Sequence, residues 1–401
     1  MRLVVQKFGG TSVANADRIR NVARIVTDTY KSGANVVVVV SAQGDTTDDL
    51  IAKAHEIDPN PSKREMDMLL STGEQISISL LAMAISKMGY PVISLTGRQA
   101  GFLTDSNHSR ARIKKIDTER LEKELDQRKI VVVAGFQGIN RYDDITTLGR
   151  GGSDTSAVAL AAELKADVCQ IYTDVDGVYT ADPRIVKNAK KLEEISFDEM
   201  LELASCGAQV LHNRSVEMAK KYNVNLEVLS SLEDKPGTKI KEVTKMEKLL
   251  IKGVAKDDNI VRISVVGLPD KPGIAFRIFS LLAAKKINVD IILQSVGRVG
   301  TKDISFTVPI DSCDMALEVL EEAKASIGDF TVEVDKDVTK VSIVGSGMQT
   351  NPGVAAKMFE ALYEADINIA MISTSEIKIS VLIRKDMGIK AMNALSEAFI
   401  K

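Results

Sequence analysis

The chain has 401 residues, 45% of them apolar and 27% charged, with a formal net charge of −3 and a pI near 5.9. That length exceeds one ordinary domain, and the balance supplies apolar cores while denying the globally basic surface that nucleic acid or an anionic membrane would need. The absence of Trp and an aromatic content of 4% remove the stacking platforms of single-strand binders. Three cysteines (Cys169, Cys206, Cys313) and three histidines (His55, His108, His212) are scattered without metal-ligand spacing, so neither a disulfide framework nor a zinc site is expected. A reducing cytoplasm is the expected location. The longest aliphatic run, residues 36–40, is far too short to span a bilayer, and residues 1–8 read as a strand and not as a signal peptide.

In chain order, short β-branched runs alternate with longer amphipathic stretches over the first 230 residues. Strands are predicted at 2–6, 35–41, 91–95, 129–134, 168–173 and 225–229, several of them apolar at consecutive positions as in strands buried on both faces. Helices are predicted at 16–30, 65–88 and 153–164. This alternation predicts an α/β sandwich with a largely parallel sheet, whose ligands bind beyond the carboxyl ends of the strands.

The motifs that carry chemistry follow those strands. "KFGGT" (7–11) sets a lysine before two glycines whose N–H groups can approach an anion; a tight turn with a surface lysine is the bland alternative. "SAQGDTTDDL" (41–50) ends the second strand in hydroxyl residues, where Thr47 could equally be a helix cap. "STGEQ" (71–75) places Glu74 in an apolar segment, either as a solvated helix residue or as a partner for an ammonium. "TLGRGGSDTS" (147–156) puts Arg150 beside paired glycines, an arrangement suited to gripping a carboxylate or phosphate that capping by Ser153 and Asp154 does not explain. "TDVDGVYTADPR" (173–184) could cover a nucleotide or be a simple loop. Anion-compatible loops at several strand ends, with no serine–histidine arrangement, point to phosphoryl transfer from ATP to an acidic acceptor, catalysed by positioning and charge neutralisation.

A different texture begins near residue 250. Residues 263–295 align without gaps on 343–375, a constant shift of 80, with 11 of 33 positions identical. Each repeat reads strand, helix, strand, strand, helix, a ferredoxin-like pattern lacking its last strand. The first repeat can finish with residues 330–335. The second runs out of chain, so the orphan strand 248–255 is expected to complete it, with the first repeat inserted within the second.

Taken together, "KFGGTSV", "VVSAQGDTTDDL", "STGEQ", "TTLGRGGSDTSAVALA" and "TDVDGVYTADPR" resemble the aspartate kinases of the amino acid kinase superfamily, and the repeats resemble the paired ACT units of that family. The resemblance implies a three-layer αβα sandwich kinase domain (1–240), a linker and strand (241–258), and two ferredoxin-like (βαββαβ) ACT units (259–336 and 337–401). It implies ATP-dependent phosphorylation of L-aspartate to 4-phospho-L-aspartate, the first step towards lysine, threonine, methionine and diaminopimelate, with Mg²⁺ accompanying ATP and no dedicated protein metal site. By resemblance, Lys7 neutralises charge on the transferring group and Asp154 organises that lysine. Thr47, Glu74, Arg150, Gly151, Gly152 and Ser153 would hold aspartate, Glu74 on its ammonium and Arg150 on a carboxylate. The nucleotide would lie along Lys7, Phe8, Gly9, Gly10, Ser41, Thr173 and Asp174, then Tyr179, Thr180, Ala181, Asp182, Pro183 and Arg184, and finally Gln209 and Val210. Gln209 stands where many relatives have a lysine, which removes a charge from that contact.

The ACT resemblance implies feedback by lysine, threonine or both. Effector positions would be Asp270, Lys271, Pro272, Gly273, Ile274, Ala275, Asn288, Val289, Asp290 and Gln294 in the first repeat. In the second they would be Val354, Ala355, Asn368, Ile369, Ser375 and Glu376. It also implies a homo-oligomer through the ACT units and, in close relatives, a shorter regulatory chain, for which Met246 is a suitable start. Neither a nucleic-acid nor a membrane partner is expected. Two rival readings are another amino acid kinase, acting on glutamate, acetylglutamate or UMP, and a non-catalytic amino-acid sensor; the ACT pair opposes the first, and intact Lys7, Glu74, Arg150 and Asp154 oppose the second.

Overall fold

A computed structural model describes residues 1–208, 210–242, 250–296, 300–349 and 351–400, with Val296 and Gln349 described by backbone alone. Gln209 and Met246, both singled out above, lie outside the described residues. The chain forms two compact units: Met1–Tyr179 with Lys191–Ser205 and Gln209–Met246, and Thr180–Lys190 with Cys206–Ala208 and Glu247–Lys401.

The first unit contains, in chain order, β1 (Leu3–Phe8), α1 (Ala16–Lys31), β2 (Asn35–Val40), α2 (Thr46–Ile57), α3 (Lys63–Lys87), β3 (Val92–Leu95), β4 (Phe102–Thr104), β5 (Ile113–Ile116), α4 (Glu119–Asp126) and β6 (Ile130–Ala134). It continues with β7 (Gln137–Ile139), β8 (Ile145–Thr147), α5 (Gly152–Glu163), β9 (Val168–Thr173), β10 (Glu194–Ser196), α6 (Phe197–Ser205), α7 (Asn213–Tyr222), β11 (Leu226–Ser230) and β12 (Thr238–Lys241). Eight strands make one sheet in the order β10-β12-β11-β9-β1-β2-β6-β3, parallel throughout β11-β9-β1-β2-β6-β3.

Period-two alternation along the inner strands divides their side chains between two covered faces. Phe8, Val36, Val38, Val40 and Val132 pack with Ile19, Val22 and Val26 of α1 and with Ile78, Leu81 and Ile85 of α3. The opposite face meets α5, which contacts β1, β2 and β9 and in turn packs on α7. Helix, sheet and helix are the three layers expected. Helix α3 is long and apolar enough by composition to cross a membrane; here one stripe is core, and Asp67 and Glu74 are buried on it. A second, small sheet, β5-β4-β7-β8, was not foreseen, because its three- and four-residue strands are too short to show a period.

The second unit holds two four-stranded sheets. One is formed by β14 (Val261–Pro269), α8 (Ile274–Ala284), β15 (Ile292–Val296), β16 (Thr301–Val308), α9 (Cys313–Ile327) and β17 (Thr331–Asp335), in the order β15-β16-β14-β17. The other takes β13 (Gly253–Asp257) beside β18 (Val338–Val344), then β20 (Lys378–Arg384) and β19 (Met371–Thr374), with α10 (Val354–Glu364) and α11 (Gly388–Phe399) on its face. β13 pairs antiparallel with β18 from Gly253–Val344 to Asp257–Lys340, so a strand preceding the first repeat lies in the sheet of the second; it spans Gly253–Asp257 where 248–255 was expected, and residues 248 and 249 lie outside the described residues.

The compact units do not divide at residue 240. Ala181 and Val186 sit in the core of the second repeat with Ile251, Val254, Met358 and Leu362, and the Thr180 carbonyl accepts from the Val254 N–H at 2.8 Å. An 11-residue excursion of the first part of the chain thus supplies apolar side chains to the second unit. Its composition is that of an ordinary turn-rich loop, so nothing local marks it.

Candidate active site

Parallel strands end together, and the carboxyl ends of β9, β1, β2 and β6 place Thr173, Lys7, Ser41 and Gly135 along one rim of the first unit. Lys7 faces α5, where its Nζ lies 2.6 Å from Asp154 Oδ1; both side chains are nearly buried. Apart from this ion pair, Asp154 Oδ1 has no hydrogen-bond donor among the described residues. Beyond Lys7 the chain turns at Gly9, whose N–H donates to Tyr172 O at 3.4 Å. A side chain at Gly10 would stand 2.8 Å from Ala42 O, so only glycine lets these two strand ends close on one another.

Ala42 is the hinge of the arrangement. Its N–H donates to Glu74 Oε1 at 3.0 Å, and Gly73 lets α3 approach Ala42 closely. Glu74 is 3% exposed, and its Oε2 is buried with no hydrogen-bond partner among the described residues. Burial pushes its pKa up to about 8, opposed only in part by the backbone N–H groups of Ala42 and of Glu74 itself. A carboxyl group held this way gains most from a cation placed beside it.

Arg150 precedes α5 in a loop whose N-cap, Gly151, is left-handed at φ 68°. The guanidinium is exposed and has no ion-pair or hydrogen-bond partner among the described residues. Ser153 is buried over Gly135, a Cβ on which would lie 2.8 Å from Ser153 Oγ. Thr47 is half-buried in the first turn of α2, but Asp45 is the N-cap, so the cap expected at Thr47 falls two residues earlier. Lys7, Ser41, Glu74, Ser153 and Asp154 are therefore linked through direct neighbours at one rim, and Arg150 stands at its edge.

Some nucleotide expectations meet different surroundings. Phe8 is fully buried and stacks on Tyr172 with ring centroids 4.5 Å apart, so only its backbone reaches the rim. Thr173 Oγ1 donates to Asp174 Oδ1 at 3.0 Å. Tyr179 donates to Asp176 at 2.7 Å, which with burial raises its pKa to about 12. Thr180 and Ala181 are buried in the second unit, Asp182 is bound by Arg184 at 2.8 Å there, and Pro183 lies between them. Val210 belongs to the first unit and is half-buried.

Sequence reasoning missed Ala42, which acts through its backbone and has no residue-type signal. It also missed Asp67, which is fully buried and accepts from His108 Nδ1, the Ser109 N–H and Thr147 Oγ1. Asp67 precedes Glu74 by seven residues, one face of the same helix, and that spacing was visible. Arg214 was missed as well; it donates to Leu148 O and Ala111 O, both at 3.0 Å, and burial lowers its pKa.

In the second unit, the turn before α8 opens a cavity of about 280 Å³ lined by Asp270, Lys271, Pro272, Gly273, Ala275 and Gln294, with Ile274 also on its wall. The equivalent turn before α10 opens one of about 550 Å³, which includes Val354, Ala355, Ser375 and Glu376. Asp270 is paired with Lys302 at 2.8 Å. Asn288 and Asn368 are exposed, and Val289 and Ile369 pack against the two cores. Asp290 lines neither cavity; it pairs at 2.5 Å with Lys340 of the second repeat, which is 3% exposed.

The sequence pattern of the amino acid kinase family matches residues 2–230, and that of the ACT domain matches 263–323 and 341–399. An aspartokinase of Bacillus sp. (strain MGA3) is 55% identical over 400 residues, covering 100% of this chain and 97% of that protein. The structure of E. coli aspartokinase III in complex with aspartate and ADP, in its R-state, superposes with a TM-score of 0.84 at 26% identity and 100% coverage of both chains. The same enzyme with lysine and aspartate, in its T-state, gives 0.75, again at 26% identity with both chains covered in full. Full-length identity above one half, a kinase domain with its rim of anion-compatible turns, and paired ACT repeats agree: this chain is a kinase and belongs to the aspartokinase family.

Proposed function

We propose that the rim binds L-aspartate against MgATP and transfers the γ-phosphoryl group to the side-chain carboxylate, giving ADP and 4-phospho-L-aspartate. The observation that carries this reading is Glu74 Oε2, a buried carboxylate oxygen without a hydrogen-bond partner among the described residues, beside the Ala42 N–H at the end of β2. It suits the ammonium of an amino acid, and the unpaired Arg150 guanidinium suits a carboxylate of the same molecule. Thr47, Gly151, Gly152 and Ser153 would complete that pocket from the first turns of α2 and α5.

The acceptor carboxylate is already a nucleophile at neutral pH, so the protein's task is to align and to neutralise charge. Lys7, paired with Asp154, would neutralise the negative charge that accumulates during transfer, with the Gly9–Gly10 turn beside it at the strand end. Asp154 and Asp174 offer carboxylates, and no cluster of three or more metal-ligating side chains exists among the described residues. This donor set fits a Mg²⁺ ion carried mainly by nucleotide phosphates. When bound, that ion supplies neutralisation of phosphate charge. Ser41, Thr173, Asp174 and Tyr179 would border the nucleotide, together with the segment Thr180–Arg184, Gln209 and Val210.

The two ACT turns are read as effector sites for lysine, threonine or both, supported by the lysine complex of E. coli aspartokinase III. A carboxylate suits the start of α8 or α10, and Asp270 suits an ammonium. Such feedback fits a first step of lysine, threonine, methionine and diaminopimelate synthesis. Exposed Phe276, Leu281, Ile292 and Leu293 on the first repeat support assembly of copies through this unit. The three free, buried cysteines fit a reducing cytoplasm.

Initial rates of ADP release with aspartate and MgATP, repeated with lysine, threonine and both, test the reading. Aspartate-dependent ADP release that either effector suppresses is the expected result. Release independent of aspartate would reject the substrate, and indifference to both effectors would reject the regulation.

A further inference from the structure

We infer that Asp67 and Arg214 are positioning residues that together set the separation between Glu74 and Arg150, and so decide which length of acidic amino acid the site accepts. The inference rests on the reading of Glu74 and Arg150 given above.

Asp67 and Glu74 lie two turns apart on one face of α3, about 10 Å along a rigid helix. Asp67 is 0% exposed and receives three donors, His108 Nδ1 at 2.9 Å, Ser109 N–H at 3.0 Å and Thr147 Oγ1 at 2.5 Å. Those donors come from the 105–112 loop and from the end of β8. Arg214 holds the same two segments from α7, its two terminal nitrogens donating to Ala111 O and Leu148 O. Between these grips the segments bond to one another, Ala111 N–H donating to Thr147 O at 2.9 Å. Gly149 then rests against Ser109 O, and Gly151 against the ring of His212 at the start of α7.

Every residue from 147 to 151 except Arg150 is thus fixed by a neighbour, while Arg150 itself has no partner among the described residues. Its location is dictated by the backbone on either side. That backbone is tied to the helix of Glu74 by Asp67 and to the outer layer by Arg214. An apolar side chain in either place would leave buried donors or carbonyls of these segments without partners, so the two polar groups hold the segments and do more than fill space. What the charges add is direction: each bonds two segments at once, and a forked guanidinium or a carboxylate does so with fixed geometry. L-Aspartate and L-glutamate differ by one methylene, a difference a rigid site can resolve by roughly 10- to 200-fold.

Steady-state kinetics of the full chain with MgATP and either L-aspartate or L-glutamate test the inference in Asp67→Asn, Arg214→Lys and Arg214→Gln. The KM for aspartate should rise about tenfold in Asp67→Asn and Arg214→Gln, with the KM for ATP within about twofold, and the aspartate-to-glutamate ratio of kcat/KM should fall at least about fivefold. Arg214→Lys, which keeps the charge but not the fork, should fall between wild type and Arg214→Gln. An unchanged ratio, or equal losses for aspartate and ATP, overturns the inference by making both residues merely structural. Glu74→Gln and Arg150→Ala separate the two levels. If these leave the aspartate KM intact, the aspartate-site reading fails and the inference falls with it; if they raise it while the Asp67 and Arg214 variants do not, the inference alone fails. Thermal melting of each variant, with aspartate affinity by calorimetry below the melting point, keeps the result readable if turnover is weak.

Discussion

At the scale of single residues, the site depends on two carboxyl groups held in opposite ways. Asp154 lies against Lys7, a charge facing a charge, whereas Glu74 is buried with Oε1 bound by the Ala42 N–H and Oε2 without a hydrogen-bond partner among the described residues. Lys7→Ala should abolish turnover and, by leaving the nearly buried Asp154 without its counter-charge, lower the melting temperature of a chain that still folds; an unchanged kcat would remove Lys7 from the mechanism. For Glu74 the raised pKa, about 8, fixes the sign of two pH effects. An ammonium prefers the ionised carboxyl, so the KM for aspartate should fall as pH rises from about 6.5 to about 8.5 and should be higher and flatter in Glu74→Gln. Stability moves the other way. The folded state holds this proton more tightly than the unfolded chain, so its contribution is complete below about pH 4.5 and lost as pH climbs towards 8, at a cost on the order of 3 kcal/mol by pH 7. Glu74→Gln should therefore melt higher relative to wild type at pH 8 than at pH 5, and equal offsets at the two pH values would show that Glu74 is not perturbed.

At the scale of elements, close approach decides what the rim looks like. Helix α3 carries Glu74 to the end of β2 only because residue 73 has no side chain: a Cβ there would meet Ala42 Cβ at 2.7 Å. Gly73→Ala leaves the helix itself favourable, so its effect isolates the contact. The expected outcome is a loss of roughly 1–3 kcal/mol by urea denaturation from overpacking, with a raised KM for aspartate as Ala42 N–H moves from Glu74. A variant as stable as wild type with unaltered KM would mean that Ala42 does not register the two elements. The glycine was legible as part of "STGEQ", but the partner that makes it necessary lies 31 residues earlier on another element, and no local pattern joins them.

At the scale of the whole molecule, the two compact units interleave along the chain, although each has its own core. Residues 180–190 lie between parts of the first unit in sequence yet bury Ala181 and Val186 in the second, and Cys206–Ala208 also belongs to the second. A chain ended at residue 240 would leave those apolar side chains uncovered and the Thr180 carbonyl without its Val254 donor. Such a protein should aggregate or melt well below the full chain, as size-exclusion chromatography and calorimetry would show; a monodisperse kinase of unchanged melting temperature would place the boundary at 240 after all. The second unit should also hold copies together, and light scattering that finds a monomer with and without effectors would contradict this.

The amino-acid sequence by itself determined the alternation of strands and helices, the turns at the strand ends, the 80-residue repeat and the orphan strand before it. These are local or periodic properties: a run of valines is buried on both faces wherever it lies, and a repeated pattern shows itself by comparison with itself. Only the tertiary structure decided that Ala42 N–H holds Glu74, that Asp67 and Arg214 grip the Arg150 loop from two sides, that Phe8 turns into the core, and that residues 180–190 pack with the repeats. Each of these is a contact between segments far apart along the chain. It is made by a backbone group or by a side chain of ordinary type, and only packing in three dimensions selects such a partner.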